Sequence, residues 1–357
     1  MSVARWCPVT ASAPGSIAVH DLPPQDVIEA ARRLLTRPGY TARLVAQEQL
    51  KKFVHRLSFE AGAKPASVVV KRLLPRPARA AQLATQRWLP AAGLAWACPR
   101  LREVVPEWGG RAVWHLYEDV SGSELDGRAP DPERVGLVVE LIAELHARFM
   151  GHTLLAECRA KGGDLGIDFF ASEVALSVDR LRLLVSLGAT LSPDDSELTH
   201  KLLERMNRLL DEREERARLL EESGDRITLL HGDLWTTNAI VTGRGNHREA
   251  KLIDWDHTGV GPVTYDLSTF LFRFGAEHRP WILDRYRAAA LRRGWTLPEA
   301  GALNQLFETA EYARYACCLV EAATAAGSGE RWGFEQMAEI DGWFRAWGSG
   351  LAGGGSE

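Results

Sequence analysis

One short stretch gathers polar chemistry between apolar runs. His231-Gly232-Asp233-Leu234-Trp235-Thr236-Thr237-Asn238 follows Leu229-Leu230 and precedes Ala239-Ile240-Val241, and Lys251-Leu252-Ile253 then lead into Asp254-Trp255-Asp256. A carboxylate and a carboxamide five residues apart, with a second carboxylate on the next turn, make an all-oxygen donor set. Such a set suits a hard divalent ion, and Mg²⁺ in particular takes few protein oxygens and leaves positions for phosphate oxygens. Phosphoryl transfer asks for that set, for a carboxylate that orients the nucleophile, and for a cation on the nucleotide phosphates. The apolar runs read as strands joined by polar loops and by a glycine-rich turn at Gly243 to Gly245. Loops at the ends of neighbouring strands face each other, so Asp233, Asn238 and Asp254 are expected around one point.

These loops need elements to hold them. Asp26 to Leu35 carries apolar residues at helical spacing and stops at Pro38-Gly39. Ala42 to Gln47 and Phe53 to Phe59 read as strands joined by the polar Glu48 to Lys52, and Ser67 to Leu74 is a β-type run with Lys71 after Val68-Val69-Val70. Ala78 to Leu89 reads as a helix, Cys98 to Leu101 as the approach to a strand, Ala112 to Asp119 as a further strand, and Glu118 to Gly122 as a linker. From Asp131 the patterning turns helical: Val135 to Phe149, two or three helices over 170–222, and a tryptophan-rich helical end. Within it, Asp211 to Glu222 mixes acids and arginines as a solvated helix does. The fold class is α+β, with a small antiparallel-sheet lobe followed by a larger, mainly helical one.

Composition narrows the function classes. A net charge of -4 argues against a nucleic-acid binder. No apolar run is long enough to span a bilayer, and no signal peptide is evident. Five scattered cysteines without a CxxC pair make a disulfide framework or zinc site unexpected and fit a reducing cytoplasm. His257 lies beside Asp254 and Asp256, but no second histidine stands at ligand spacing for zinc.

His231-Gly232-Asp233 with Asn238 five residues on, then an Asp turn at 254, resembles the catalytic loop and metal-binding turn of protein kinases. With Leu252-Ile253-Asp254-Trp255-Asp256, Gly261-Pro262, Tyr265-Asp266-Leu267 and Glu144-Leu145-His146-Ala147, the chain resembles the aminoglycoside phosphotransferase and choline kinase-like family of small-molecule kinases. The resemblance implies a bilobal protein-kinase-like fold: residues 1–120 as a nucleotide-binding lobe (1–24 irregular), 121–350 as a catalytic and acceptor-binding lobe, and 351–357 as a flexible tail. It implies a kinase that uses ATP, or GTP, with Mg²⁺ to phosphorylate a small-molecule hydroxyl on an antibiotic, amino alcohol or sugar, acting in the cytoplasm as a monomer or homodimer without nucleic-acid or membrane partners. Asp233 would be the catalytic base. Asn238 and Asp254 would hold Mg²⁺, Lys71 would meet the phosphates, and Tyr117, Glu118 and Asp119 would meet the base of the nucleotide. His231 and Asp266 would brace the catalytic loop. Acceptor candidates are Glu311, Tyr315, Trp332 and Asp341.

Plainer readings stand beside these. Asp favours turns in any case, Lys71 has the reading of an exposed strand residue, and Asp266 that of a helix cap. Asp256 either joins the metal site or bonds locally. Two features set this chain apart from the family pattern. Gln47 to Lys52 contains no glycine to cradle phosphates, which turns attention to Lys51 and Lys52, and Ala78 to Leu89 offers Lys71 only Gln82 and Gln86 instead of a glutamate. An alternative function is therefore a nucleotide-binding regulator of the same fold. A protein kinase is disfavoured by Gly232 and by the short interval from Asp254 to Asp266.

Overall fold

The N-terminal part alternates polar and apolar residues with the period of a strand, and it builds a sheet. The computed structural model describes residues 22–36, 41–60, 65–186, 191–223, 226–243 and 245–347; the expected tail at 351–357 and most of the irregular start lie outside them. Helix α1 (Gln25–Leu35) precedes strands β1 (Arg43–Lys51), β2 (Val54–Glu60) and β3 (Pro65–Leu73), with β4 (Leu101–Pro106) and β5 (Val113–Glu118) further on. They pair antiparallel in the order β1-β2-β3-β5-β4. Leu57, Phe59, Val68, Val70, Trp114 and Leu116 point to one face and pack against Val27, Ala30 and Ala31 of α1. Each fully buried side chain of this kind contributes roughly 1.5–3 kcal/mol. The opposite parity carries Val69, Lys71 and Leu73 to the other face.

Three boundaries differ from those read in the sequence. β1 does not end at Gln47 but runs to Lys51, because an edge strand exposed along nearly its whole length accepts the polar residues 47–51. The connection shrinks to Lys52-Phe53, with Phe53 at φ 62°. The helix expected at 78–89 starts earlier, at α2 (Pro75–Leu83), where proline suits the first turn. It then passes through a π-helical turn, Ala84–Trp88, into the short α3 (Leu89–Ala91). Part of the expected linker is also a strand: β6 (Gly122–Glu124) pairs with β8 (Ala239–Thr242), which pairs with β9 (Glu249–Leu252). Residues 237–258 therefore cluster with the sheet. This compact unit comprises the described residues up to Leu125 together with Thr237–Thr258.

The second unit comprises Asp126–Thr236 and the described residues from Gly259 onward. It contains α4 (Pro132–Phe149), α5 (Leu155–Lys161), α6 (Ile167–Ser186), α7 (Pro193–Asp211), α8 (Arg213–Glu222), β7 (Ile227–Leu230), β10 (Gly259–Pro262), α9 (Val263–Phe272), α10 (Arg279–Arg292), α11 (Ala300–Gly327) and α12 (Arg331–Ala346). Asp131 caps α4 by accepting from the Glu133 and Arg134 amides. β7 pairs with β10 and not with β8, so the strands on either side of the His231–Asn238 loop belong to different sheets. The core joins Phe170, Leu181, Leu202, Met206, Leu319 and Met337 from α6, α7, α11 and α12. The acid-rich segment 211–222 is not solvated throughout: Arg216 is buried and paired with Glu212 and Glu308. Cys317 and Cys318 are buried in α11 as free thiols. Among the described residues no helix is long and apolar enough to cross a membrane.

Gly333 shows how closely α12 approaches α11. A Cβ there would stand 2.4 Å from the Ala326 nitrogen and 2.5 Å from the Ala322 oxygen, both backbone atoms that cannot swing away. Gly333→Ala is therefore expected to destabilise by ~1–3 kcal/mol, the range for overpacking. A urea titration checks this; a midpoint unchanged from wild type would contradict it.

Candidate active site

β9 ends in a turn that no regular strand could make. Asp254 adopts left-handed backbone angles, φ 71° and ψ 58°, which Asp tolerates better than most residues. The chain then closes a 3₁₀ turn, Trp255–His257, anchored by the buried Trp255, whose indole N–H donates to the Leu252 carbonyl at 2.9 Å. This turn presents two carboxylates, Asp254 and Asp256, to one ammonium. Lys71 Nζ lies 3.0 Å from Asp256 Oδ2 and donates to Asp254 Oδ1 as well. Strand parity explains why Lys71 can do so, since it shares the face of Val69 and Leu73. Gln82 and Gln86, considered from the sequence as partners for Lys71, bond instead to each other on an exposed surface.

The electrostatics follow from two buried acids sharing one base. Burial alone lowers the pKa of an ammonium, but the charges of Asp254 and Asp256 outweigh it and hold Lys71 above its ordinary value. Asp254 is pushed up, first by burial and then by the like charge of Asp256. Burial pushes Asp256 the same way, yet Lys71 and His257 overcome it and hold Asp256 below the usual carboxylate range. Asp256 Oδ1 is buried without a hydrogen-bond partner. Asn238 is buried beside this turn: its carbonyl accepts from the Ile253 amide at 2.9 Å, and Ala239 pairs with Leu252. The two carboxylates, one of them with the unpartnered oxygen Asp256 Oδ1, are hard oxygen donors of the kind Mg²⁺ takes. Among the described residues no three His, Cys, Asp or Glu side chains converge on a self-sufficient metal site.

Lys71, Asp254 and Asp256 line a cavity of about 290 Å³, whose apolar wall includes Val54, Val69 and Leu73. Tyr117, Glu118 and Asp119 line it as well. The Tyr117 hydroxyl meets His115 Nδ1 at 2.9 Å. Burial and then the Lys71 charge push His115 down to about 4, so its ring is neutral at pH 7. The Asp119 side chain is engaged within the sheet, accepting from Arg56 Nε at 2.8 Å and Ser67 Oγ at 2.6 Å. Lys51 also lines the cavity from the end of β1.

The helical unit holds Asp233 by a different device. Gly232 takes φ 84°, a conformation that favours glycine, and the following Asp233 amide donates to His231 Nδ1 at 3.3 Å. Asp266, in the first turn of α9, reaches the loop and does not cap its own helix: it accepts from the His231 amide at 2.8 Å and the Gly232 amide at 2.9 Å. His146 Nε2 lies 3.3 Å from Asp266 Oδ2, and His146 Nδ1 lies 2.6 Å from the Tyr286 hydroxyl. All four residues are buried. Burial raises the pKa of a carboxyl, but the His146 hydrogen bond, the nearby His146 and His231 rings and the Gly232 amide hold Asp266 below the ordinary carboxylate value. With Asp266 ionised, His146 donates through Nε2 and accepts from Tyr286. His146 was noted from the sequence only as part of a Leu-His pattern, and Tyr286 had no signal there at all.

The acceptor candidates scatter. Glu311 and Tyr315 are buried on α11, where Glu311 Oε1 accepts from Ser268 Oγ at 2.9 Å and pairs with Arg314. Asp341 binds Lys201 of α7 at 2.7 Å and Arg345 of its own helix at 3.3 Å. Trp332 is 42% exposed at the start of α12. Two arginines not singled out from the sequence, Arg273 and Arg314, lie within electrostatic reach of Asp233. Arg314 had a signal: it falls between Glu311 and Tyr315 and is the sole Lys or Arg of α11.

A model of the phosphotransferase enzyme family matches residues 47–303. No curated protein matches the chain by sequence. Among solved structures, an ethanolamine kinase of Plasmodium vivax superposes with a TM-score of 0.54 at 13% identity, over 87% of this chain and 82% of its own. A choline kinase of Cryptosporidium parvum gives 0.54 at 11% identity, over 86% of this chain and 89% of its own. At such identities the likeness concerns the fold, and it agrees with the α+β, protein-kinase-like architecture read from the sequence.

Proposed function

The chain belongs to the phosphotransferase enzyme family, and from that premise we propose that it transfers the terminal phosphate of ATP, or GTP, to a hydroxyl of a small-molecule acceptor. The observation that carries this reading is the Lys71–Asp254–Asp256 cluster on the cavity of the sheet unit. A lysine held by two acids on a cavity with an apolar wall is a cation poised for phosphates, and its acids are poised for a metal.

In this reading Lys71 exchanges part of its carboxylate contact for phosphate oxygens, and the cavity wall formed by Val54, Val69 and Leu73 receives the base. The backbone of Tyr117 to Asp119 supplies polar contacts for it. Asp254 and Asn238 hold Mg²⁺, with Asp256 as a further donor. The ion, when bound, offsets charge on the phosphates. Asp233 orients the acceptor hydroxyl and removes its proton, and Asp266, His146 and His231 keep the loop that carries Asp233 in shape. The buried free thiols Cys98, Cys158, Cys317 and Cys318 fit a cytoplasmic enzyme, monomer or homodimer. The acceptor class is an antibiotic, an amino alcohol, a sugar or a chemical relative of these.

The test is nucleotide consumption with Mg²⁺ across antibiotic, amino-alcohol and sugar panels, using Asp233→Asn as control. Acceptor-dependent turnover that this substitution removes is the expected result. Nucleotide binding with no turnover, unaffected by Asp233→Asn, would favour the regulator reading instead; the glycine-free turn Lys52-Phe53 is the observation behind that second reading. Lys71→Ala is expected to raise the KM for nucleotide ~10- to 100-fold, the worth of one hydrogen bond to a charged group. Steady-state kinetics at varied ATP checks it.

A further inference from the structure

Several buried and half-buried arginines in the helical unit are matched to acids: Arg216 meets Glu212 and Glu308, Arg293 meets Glu140 and Glu144, and Arg314 meets Glu311. Arg273 is not, and it differs from other half-buried arginines without an acid, such as Arg180 and Arg279, in lying beside the loop of Asp233. It follows the last turn of α9, and its guanidinium carbon stacks 3.5 Å from the ring centre of Trp235. Its Nε is buried without a partner, and among the described residues the guanidinium joins no hydrogen bond and no ion pair. A cation so placed lacks the anion that normally offsets removal from water. The ring under it covers one side of the guanidinium, a group whose fork receives a carboxylate or phosphate through two parallel hydrogen bonds.

Its neighbours point the same way. Trp235 is two residues beyond Asp233, and its amide donates to the Asp233 carbonyl at 2.9 Å. Burial pushes Arg273 down, and the Glu311 charge and, more weakly, the Asp233 charge act on it without a bonded contact. Tyr315 is buried with its hydroxyl unpartnered, and burial and then the Glu311 charge keep that phenol protonated, hence a donor. Glu311 would repel an anion, but Arg314 is paired with it, so the two charges offset each other. The buried atoms without a partner here are Arg273 Nε, Arg314 Nε and the Tyr315 hydroxyl, all donors, against one acceptor, Glu311 Oε2.

We propose that the acceptor carries an oxyanion, a carboxylate or a phosphate ester, in addition to its hydroxyl, and that Arg273 receives it on the Trp235 platform. This rests on the phosphotransferase reading with Asp233 as base, and it names the acceptor class within that reading. A purely polycationic acceptor would find Arg273 opposing it. Arg273 is a specificity residue here, and Trp235 positions it.

The experiment compares Mg²⁺-nucleotide consumption by the full chain with four acceptor sets matched in carbon skeleton: hydroxy acids, polyol phosphates, amino alcohols and uncharged polyols. Hydroxy acids or polyol phosphates are expected to exceed the other two sets at least ~10-fold in kcat/KM, and the two anionic arms separate carboxylate from phosphate. Arg273→Gln is expected to lower kcat/KM for the preferred anion ~10- to 100-fold, mainly through KM, and Arg273→Lys to recover part of it. Preference for amino alcohols or uncharged polyols, no turnover of either anionic set, or equal KM values in wild type and Arg273→Gln overturns the proposal. If Arg273→Gln fails to bind nucleotide, the wild-type preference among the four sets decides alone. Failure of the phosphotransferase reading looks different: Asp233→Asn would then leave nucleotide consumption unchanged with every acceptor.

Discussion

Asp233→Asn is expected to lower kcat ~10²- to 10⁴-fold while leaving the affinity for nucleotide near that of wild type. The magnitude is that of a lost general base. The substitution keeps the shape of the side chain and removes only its capacity to take a proton. The loop conformation depends on backbone groups, the His231 and Gly232 amides on Asp266 and the Asp233 amide on His231, none of which changes. The residues proposed for nucleotide belong to the sheet unit and keep their contacts. A split between kcat and nucleotide affinity is therefore the signature, measured by steady-state kinetics and by equilibrium titration of nucleotide. A fall in both together would mean that Asp233 acts on nucleotide binding and is not the base.

The second large effect concerns stability. Asp266→Ala removes the acceptor of two buried backbone amides and the partner of His146. Each buried donor left unmatched costs roughly 1–3 kcal/mol, so a total loss of ~3–5 kcal/mol is expected. Asp266→Asn keeps one acceptor oxygen and should lose less. The same carboxylate gives a pH dependence. Its folded pKa lies below the unfolded value of about 3.9. A depressed carboxyl contributes stability that is fully present above the unfolded value and is lost as pH falls through the folded one. Denaturant midpoints from pH 7 down to pH 3 should therefore show wild type falling steeply below about pH 4, with Asp266→Ala flatter over that interval. Parallel curves for the two proteins would remove Asp266 from the acid response.

Parts of this molecule were legible in the sequence because local patterning dictated them. The β-type run at 67–74 gave most of β3, and helical periodicity gave α4. Gly232 before Asp233 marked a tight turn. What escaped was fixed by partners distant in the chain. The search for a lysine partner looked in the helix after β3, where only glutamines stand. The acids that meet Lys71 come from 183 and 185 residues further on, through the left-handed turn at Asp254. Tyr286 is one of two aromatic residues on α10, with Trp281, and only packing brings it to His146. Arg273 was invisible for a related reason: arginine is common on surfaces, and the absence of a partner is not a property a sequence displays. The end of β1 was missed because solvated edge strands carry no apolar alternation.

The sheet unit is interrupted in sequence, since Thr237–Thr258 returns to it after the chain has traversed α4 to α8 and β7. A fragment ending at Leu125 would lack β8 and β9 and would leave Lys71 without both of its acids. Gene duplication or recombination at a single junction therefore cannot hand this nucleotide apparatus to a new protein. Exchange of acceptor preference between relatives by recombination would need crossovers near 125, 236 and 258, so that 126–236 and the segment from 259 are replaced together around an unchanged 237–258. Inheritance of the two units is thus coupled, and changes by point substitution need fewer coordinated events than exchange of whole segments.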